Sequence, residues 1–272
     1  MRLTAPAKLN LCLFLGAARD DGRHEICSLF EPLSLADEIE VAEAASDEVA
    51  CPEVGGENIA ATALAELRRR GWDRPPLRIE ITKRIPVAGG LGGGSADAAA
   101  VLRLAEGEFD GIEAIAERIG ADVPSQLRPS FSLVSGAGEL VEPLPSPGGH
   151  AFVLLPQSQG LSTAAVYTEA DRLGLGRDRV RLADIARRLR DVADAGASPL
   201  EYSHLLINDL EPAAMGLHPG IEPALETLRE AGAARALISG SGPTAFGLFA
   251  DLRSAQQAVD DLGGEAIACT PL

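Results

Sequence analysis

Five glycines, Gly89, Gly90, Gly92, Gly93 and Gly94, fall within six positions of this chain. Before them Leu77, Ile79 and Ile81 alternate with polar residues; after them an alanine-rich run extends from Ser95 to Ala105. The alternation predicts a strand and the alanine run a helix. Ordering so many glycines costs more backbone entropy than any other composition, so something must offset it. Glycine lets backbone N–H groups converge and a ligand come close, and a helix start adds unpaired N–H groups and the positive end of its dipole. Together they suit a phosphate. A Walker loop would close on Gly-Lys-Ser or Gly-Lys-Thr, whereas this one closes on Gly94-Ser95-Ala96. The dinucleotide pattern GxGxxG is out of register, since from Gly90 and Gly92 its third glycine falls on Ser95. That argues against a nicotinamide oxidoreductase. The plainer alternative is a flexible linker with Ser95 capping the helix.

The rest of the chain sharpens the need for such a device. It carries 24 basic and 40 acidic residues, a net charge of −16. That sign excludes binding of nucleic acid or anionic lipid by bulk charge, and any anionic substrate must be held by local groups. Only two of the basic residues are lysines, Lys8 and Lys83. A hydrophobic content of 46% excludes a disordered chain. Four cysteines, at 12, 27, 51 and 269, form no CxxC pair; they predict free, buried thiols and a cytoplasmic setting. No apolar run reaches the roughly 18 residues a membrane span needs. The apolar start ending in Gly16-Ala17-Ala18 mimics a secretory signal, but Lys8 and Asn10 interrupt it.

Residues 3–15 alternate, which predicts a strand with one buried face and puts Lys8 and Asn10 side by side on the other. Asp20-Asp21-Gly22 predicts a hairpin turn, with strands over 24–32 and 38–42. Helices are expected over 58–70, 95–105 and 112–119, and a hairpin over 131–141. The cluster Pro143-Leu144-Pro145-Ser146-Pro147-Gly148-Gly149 is the strongest breaker in the chain and marks a domain boundary. Beyond it a strand is expected over 152–155 and helices near 163–173, 182–193, 209–215 and 221–231. Strands at 236–239 and 245–249, a helix over 254–262 and a strand near 265–269 complete the pattern. The class is α+β.

Pro86 followed by Gly90-Leu91-Gly92-Gly93-Gly94-Ser95-Ala96-Asp97 resembles the signature loop of the GHMP kinases, which phosphorylate small metabolites with ATP. Further stretches are similar to one branch of that family, whose substrate is a cytidine diphosphate-linked methylerythritol of non-mevalonate isoprenoid synthesis. They are Pro6-Ala7-Lys8-Leu9-Asn10-Leu11, Gly120-Ala121-Asp122-Val123-Pro124, Leu161-Ser162-Thr163, Asn208-Asp209-Leu210-Glu211-Pro212 and Ser239-Gly240-Ser241-Gly242-Pro243-Thr244. The likeness runs in order from Pro6 to about Phe249.

The resemblance implies a two-domain GHMP kinase fold. A ribosomal S5 domain 2-like N-terminal, ATP-binding domain is expected over 1–145 and a ferredoxin-like domain over 146–272, with the active site in the cleft between them. It implies ATP with Mg²⁺, and Ser95 as the candidate metal ligand. Asp122 would be the catalytic base and Lys8 its assistant. ATP would lie on Lys83 and on Pro86-Val87-Ala88-Gly89-Gly90-Leu91-Gly92-Gly93-Gly94-Ser95-Ala96, with Lys83 near the adenine and ribose. Asn10, His24, Thr163, Tyr167, Gly240, Ser241 and Gly242 would hold the substrate, with His24 and Tyr167 at the cytosine. Where the family has a second aromatic, this chain has Arg23, whose planar guanidinium can stack on a base. Ser125-Gln126-Leu127-Arg128-Pro129-Ser130 departs from the family's pattern too. No nucleic-acid or membrane partner is implied, and the chain is expected as monomer or homodimer. Another GHMP small-molecule kinase and a non-catalytic nucleotide-binding member are the alternatives.

Overall fold

The computed structural model of the chain describes residues 1–56 and 58–272. In chain order its elements are β1 (Arg2–Ala18), β2 (His24–Glu43), β3 (Glu48–Ala50), α1 (Ile59–Arg69), β4 (Leu77–Thr82), α2 (Gly93–Arg103), α3 (Ile112–Ile119), α4 (Val123–Leu127), β5 (Ser132–Gly136), β6 (Leu140–Pro143) and β7 (Ala151–Leu155). There follow α5 (Thr163–Leu173), α6 (Arg179–Asp194), a 3-10 turn (Ser203–Leu205), α7 (Glu211–Leu217), α8 (Ile221–Glu230), β8 (Arg235–Ile238), β9 (Ala245–Phe249), α9 (Leu252–Leu262) and β10 (Ile267–Cys269). The chain divides into two compact units. One comprises Met1–Ala7, Leu35–Val87 and Gly92–Pro129, and the other Lys8–Ser34, Ala88–Leu91 and Ser130–Leu272. The units interleave along the chain, so they divide it differently from a single cut at 145/146.

In the first unit, residues 38–43 of β2 pair antiparallel with β4, which pairs parallel with β3. A parallel neighbour needs a crossover, and α1 supplies it. β4 alternates buried and exposed residues as its sequence demands. Ile39, Leu67, Ile79, Val101 and Leu102 lie in this unit's core. α2 buries every residue from Ala96 to Leu102, because its alanines let other elements close on it from all sides. Arg68, in the last turn of α1, is structural: it donates to Asp47 and to the carbonyls of Trp72, Arg74 and Pro75.

In the second unit, β7, β8, β9 and β10 form an antiparallel sheet in the order β10-β7-β9-β8. Strands β7 and β8, joined through helices, are separated by β9, and α9 leads into β10. This is the split βαβ arrangement of a ferredoxin-like domain, as expected. Leu13, Val153, Leu228, Ile238 and Phe249 lie in this unit's core.

Two strands differ from their expected form. β1 is buried continuously from Ala5 to Gly16 rather than on one face. Its edge is covered: Leu13 N–H donates to Ile207 O, Asp209 N–H to Leu13 O, and Arg177 N–H to Leu15 O. β2 is one strand where a break after Pro32 is expected. The last residues of the chain stitch the gap. Ser34 N–H donates to Thr270 O, and Leu272 N–H to Pro32 O. Proline lacks a donor but keeps its carbonyl, so Pro32 is tolerated. β3, α4 and the 3-10 turn are short and have no sequence signature of their own.

Candidate active site

The glycine loop starts from β4 and ends in α2. α2 begins two residues before the expected Ser95, with Gly92 at its N-cap in the left-handed conformation (φ 69°). Gly93 and Gly94 are therefore helical, and their N–H groups and that of Ser95 are the open donors of the first turn. A Cβ on Gly93 would lie 3.2 Å from Lys83 Nζ. Ser95 Oγ lies 3.9 Å from where a Cβ on Gly120 would be, which places Ser95 beside the Gly120-Ala121-Asp122 stretch. Asp122 is half-buried and occupies the N-cap position of α4 with no side-chain capping bond to the helix.

Lys83 has a firm partner set. Its side chain is almost wholly buried and its ammonium donates to Asp97 Oδ2 (2.7 Å) and to Asp37 Oδ2. Asp37 Oδ1 also accepts from the N–H groups of Arg84 (2.6 Å) and Ile85 (2.8 Å), where the chain leaves β4. Burial pushes the Asp97 carboxyl up to about 7, opposed by the Lys83 ammonium. Asp97 Oδ1 is buried without a hydrogen-bond partner among the described residues. Lys83 thus braces the loop from beneath. Asp37 gives no sequence signal of its own; Asp97 lies inside the loop motif. The departing residues after Asp122 are structural: Ser125 and Gln126 are buried, and Arg103 donates to Gln126 O and Thr4 O.

In the second unit, the short loop segment Ala88–Leu91 joins Lys8, Asn10 and the Ser239–Gly242 turn. Lys8 N–H donates to Leu91 O (3.0 Å), and Ser239 Oγ donates to Gly90 O (2.9 Å). Asn10 N–H donates to Ser239 Oγ (3.3 Å), and Lys8 Nζ donates to Asn10 Oδ1. The Lys8 ammonium also lies 4.8 Å from the Phe30 ring centroid, an attractive cation–π placement. Gly90 has φ 77°, and a Cβ there would stand 2.5 Å from Ser239 O and 2.8 Å from Gly242 O. Asn208 shapes the turn by donating to Ile238 O (2.9 Å) and Gly240 O (2.8 Å). Thr163 Oγ1 and Ser241 Oγ are 3.0 Å apart, so both predicted hydroxyls meet.

His24 and Tyr167 also meet, with ring centroids 5.2 Å apart. Asp171 Oδ1 lies 2.7 Å from His24 Nε2. A carboxylate only accepts, so Nε2 carries the hydrogen of this bond; the neutral tautomer of that form has Nδ1 as its acceptor. Asp171, four residues after Tyr167 on α5, has only helical spacing to suggest it. Arg23 lies in the exposed turn, its guanidinium donating to Asp21 Oδ2 (3.1 Å). Elsewhere His150 is buried with its Nε2 3.4 Å from Glu31 Oε2. Of the four cysteines, Cys51 is only partly buried.

Two family models match. GHMP kinases N terminal domain covers residues 58–127 and GHMP kinases C terminal covers residues 182–268. They fall on either side of the 143–149 breaker. The 4-diphosphocytidyl-2-C-methyl-D-erythritol kinase of Streptomyces coelicolor is 38% identical over 264 residues, 92% of this chain and 88% of that protein. A crystal structure of 4-(cytidine 5'-diphospho)-2C-methyl-D-erythritol kinase superposes with a TM-score of 0.82 at 33% identity, covering 99% of this chain and 98% of that one. Homoserine kinase from Cytophaga hutchinsonii reaches a TM-score of 0.73 at 19% identity, covering 100% and 94%. That likeness is one of fold.

Gly90→Ala meets both a left-handed φ and a backbone clash, and should lose about 2–4 kcal/mol in urea unfolding. Gly94→Ala, whose Cβ would have its nearest contact at 3.5 Å, should hold or gain stability by up to ~1 kcal/mol. Equal midpoints for the two variants would contradict this geometry.

The Asp97 carboxyl titrates near 7 when folded against an ordinary 3.8, so the native state binds this proton more tightly than the unfolded chain. Its contribution is fully present below about 3.8 and is lost as pH rises to about 7. Asp97→Asn should therefore flatten the fall in urea midpoint across that window. Parallel wild-type and variant curves would rule it out.

Proposed function

We propose a function from one premise: the chain belongs to the 4-diphosphocytidyl-2-C-methyl-D-erythritol kinases, a branch of the GHMP kinases. It transfers the γ-phosphoryl group of ATP to a hydroxyl of 4-diphosphocytidyl-2-C-methyl-D-erythritol, a step of non-mevalonate isoprenoid precursor synthesis. What carries this is similarity along nearly the whole chain, 38% over 92% of it. Other GHMP kinases share the fold at much lower identity. A non-catalytic member has no need of both Asp122 and Lys8, and both are present.

An alcohol is a weak nucleophile, so a carboxylate must accept its proton as it attacks. Asp122 takes this role. Lys8 supplies positive charge for the transferring oxygens, its ammonium oriented by Asn10 Oδ1. The first-turn amides of α2 hold the phosphates of ATP, and Lys83 acts through the loop it braces. Gly240, Ser241, Gly242 and Thr163 hold the substrate's diphosphate. His24, with Nε2–H on Asp171, keeps Nδ1 as an acceptor suited to the exocyclic amine of cytosine, and Tyr167 and Arg23 flank the base.

No cluster of three or more His, Cys, Asp or Glu side chains suited to a metal occurs among the described residues. This donor set fits a Mg²⁺ carried mainly by nucleotide phosphates and water, its usual mode, with Ser95 as the side-chain ligand. When bound, the ion neutralises charge on the phosphates. We place the enzyme in the cytoplasm as a monomer or homodimer; among the described residues, no helix is long and apolar enough to cross a membrane.

ADP release on mixing the protein with ATP, Mg²⁺ and the cytidylyl substrate tests the activity, and a silent wild type would overturn it. Asp122→Asn should lower kcat by roughly 10²- to 10⁴-fold with folding intact; full retained rate would remove Asp122 as base.

Arg23→Ala should raise KM for the cytidylyl substrate several-fold while KM for ATP and kcat hold. An unchanged KM would leave the guanidinium as Asp21's surface partner alone.

A further inference from the structure

We propose that Ser28 is a positioning residue for phosphoryl transfer, acting on Lys8 through Asn10. The proposal rests on the kinase reading above, in which Lys8 serves the reacting groups.

The observation is a chain of three hydrogen bonds whose directions are all forced. Ser28 lies on β2, wholly buried, and its Oγ donates to Cys12 O on β1. A backbone carbonyl can only accept, and a serine hydroxyl has one hydrogen. That hydrogen is committed to Cys12. Toward its other neighbour Ser28 Oγ can therefore only accept. That neighbour is the Asn10 side-chain amide, with Nδ2 2.9 Å away.

An amide has a donor end and an acceptor end, and which end faces where follows from its hydrogen-bond network. Ser28 demands the donor end. The acceptor, Oδ1, is then turned to Lys8 Nζ, where it takes one ammonium hydrogen. In the flipped amide, NH₂ would face the Lys8 ammonium, donor against donor. Cys12 O, a fixed point of the strand, thus sets Ser28, which sets Asn10, which sets Lys8. Lys8, Asn10 and Ser28 are all buried, where an unmade hydrogen bond is most costly. Removing the hydroxyl leaves Asn10 Nδ2 without its buried acceptor, so the Asn10 side chain loses its anchor on β2 and Lys8 is loosened. The expected signature is a loss in the chemical step rather than in binding, because a displaced catalytic group lowers rate steeply.

The test combines kinetics with a direct view of Asn10. Ser28→Ala should lower kcat about 10- to 100-fold, with KM for ATP and for the cytidylyl substrate within about threefold. Ser28→Thr, which keeps the hydroxyl, should restore kcat to within a few-fold. In ¹⁵N-asparagine-labelled protein, the Asn10 side-chain NH₂ signals should shift and exchange faster with solvent in Ser28→Ala than in wild type or Ser28→Thr. Unchanged kcat in Ser28→Ala overturns the proposal. So does an equal loss in a folded Ser28→Thr, or a kcat loss with Asn10 signals unmoved. Should Ser28→Ala unfold, the threonine variant and its Asn10 signals decide alone. An inactive wild type would instead break the kinase reading, while the Asn10 signals still report the orientation.

Discussion

Gly90 approaches the Ser239–Gly242 turn at a distance no side chain permits, and Lys8, Asn10 and Asn208 are arranged around that approach. The loop strand Ala88–Leu91 is only four residues long, yet it is tied to β1 through Lys8 N–H and to the turn through Ser239 Oγ. The turn is in turn tied to Asn208, which bonds two of its carbonyls at once. Segments as far apart as Gly90 and Ser239 are thus joined by short side chains bonded to backbone carbonyls. Short side chains lose less rotamer freedom on forming such ties than long ones do, which suits a site that must keep one geometry.

Two serines perform parallel work at this point. Ser239 donates to Gly90 O and accepts from Asn10 N–H; Ser28 donates to Cys12 O and accepts from Asn10 Nδ2. In each case a carbonyl claims the only hydroxyl hydrogen, and the remaining lone pairs impose a direction on Asn10. One serine fixes its backbone and the other its side chain. Asn10 is therefore held at both ends, and the direction of the strand is converted into the direction of a side chain.

The elements with strong periodicity, such as β4 and α3, are legible from the sequence because a single unit's core dictates each pattern. β1 and β2 are less so. Lys8 and Asn10 look solvent-facing by alternation, and they are met by Ser28, Phe30, Leu91 and the turn at 239–240, which no local pattern connects to them. The join across Pro32 depends on residues at the far end of the chain. Within the site, motif residues such as Ser241, Thr163 and Tyr167 could be named. Asp37, Asp171 and Ser28 could not, since a lone polar residue in a strand or helix shows its role only once its partner is in place.

Lys8 and Lys83 look equivalent in an Arg-rich chain of net charge −16, each beside a motif. Their surroundings separate them. Lys83 is met by two buried carboxylates, so its charge is spent inside the fold, and its bond to Asp37 instead anchors the start of the glycine loop. Lys8 Nζ donates to the Asn10 amide oxygen and lies 4.8 Å from the Phe30 ring centroid. The first arrangement uses a charge to hold a loop whose own backbone amides can bind an anion. The second seats an ammonium against an amide oxygen and a ring. An acidic chain needs such local devices, since its net field repels an anionic ligand.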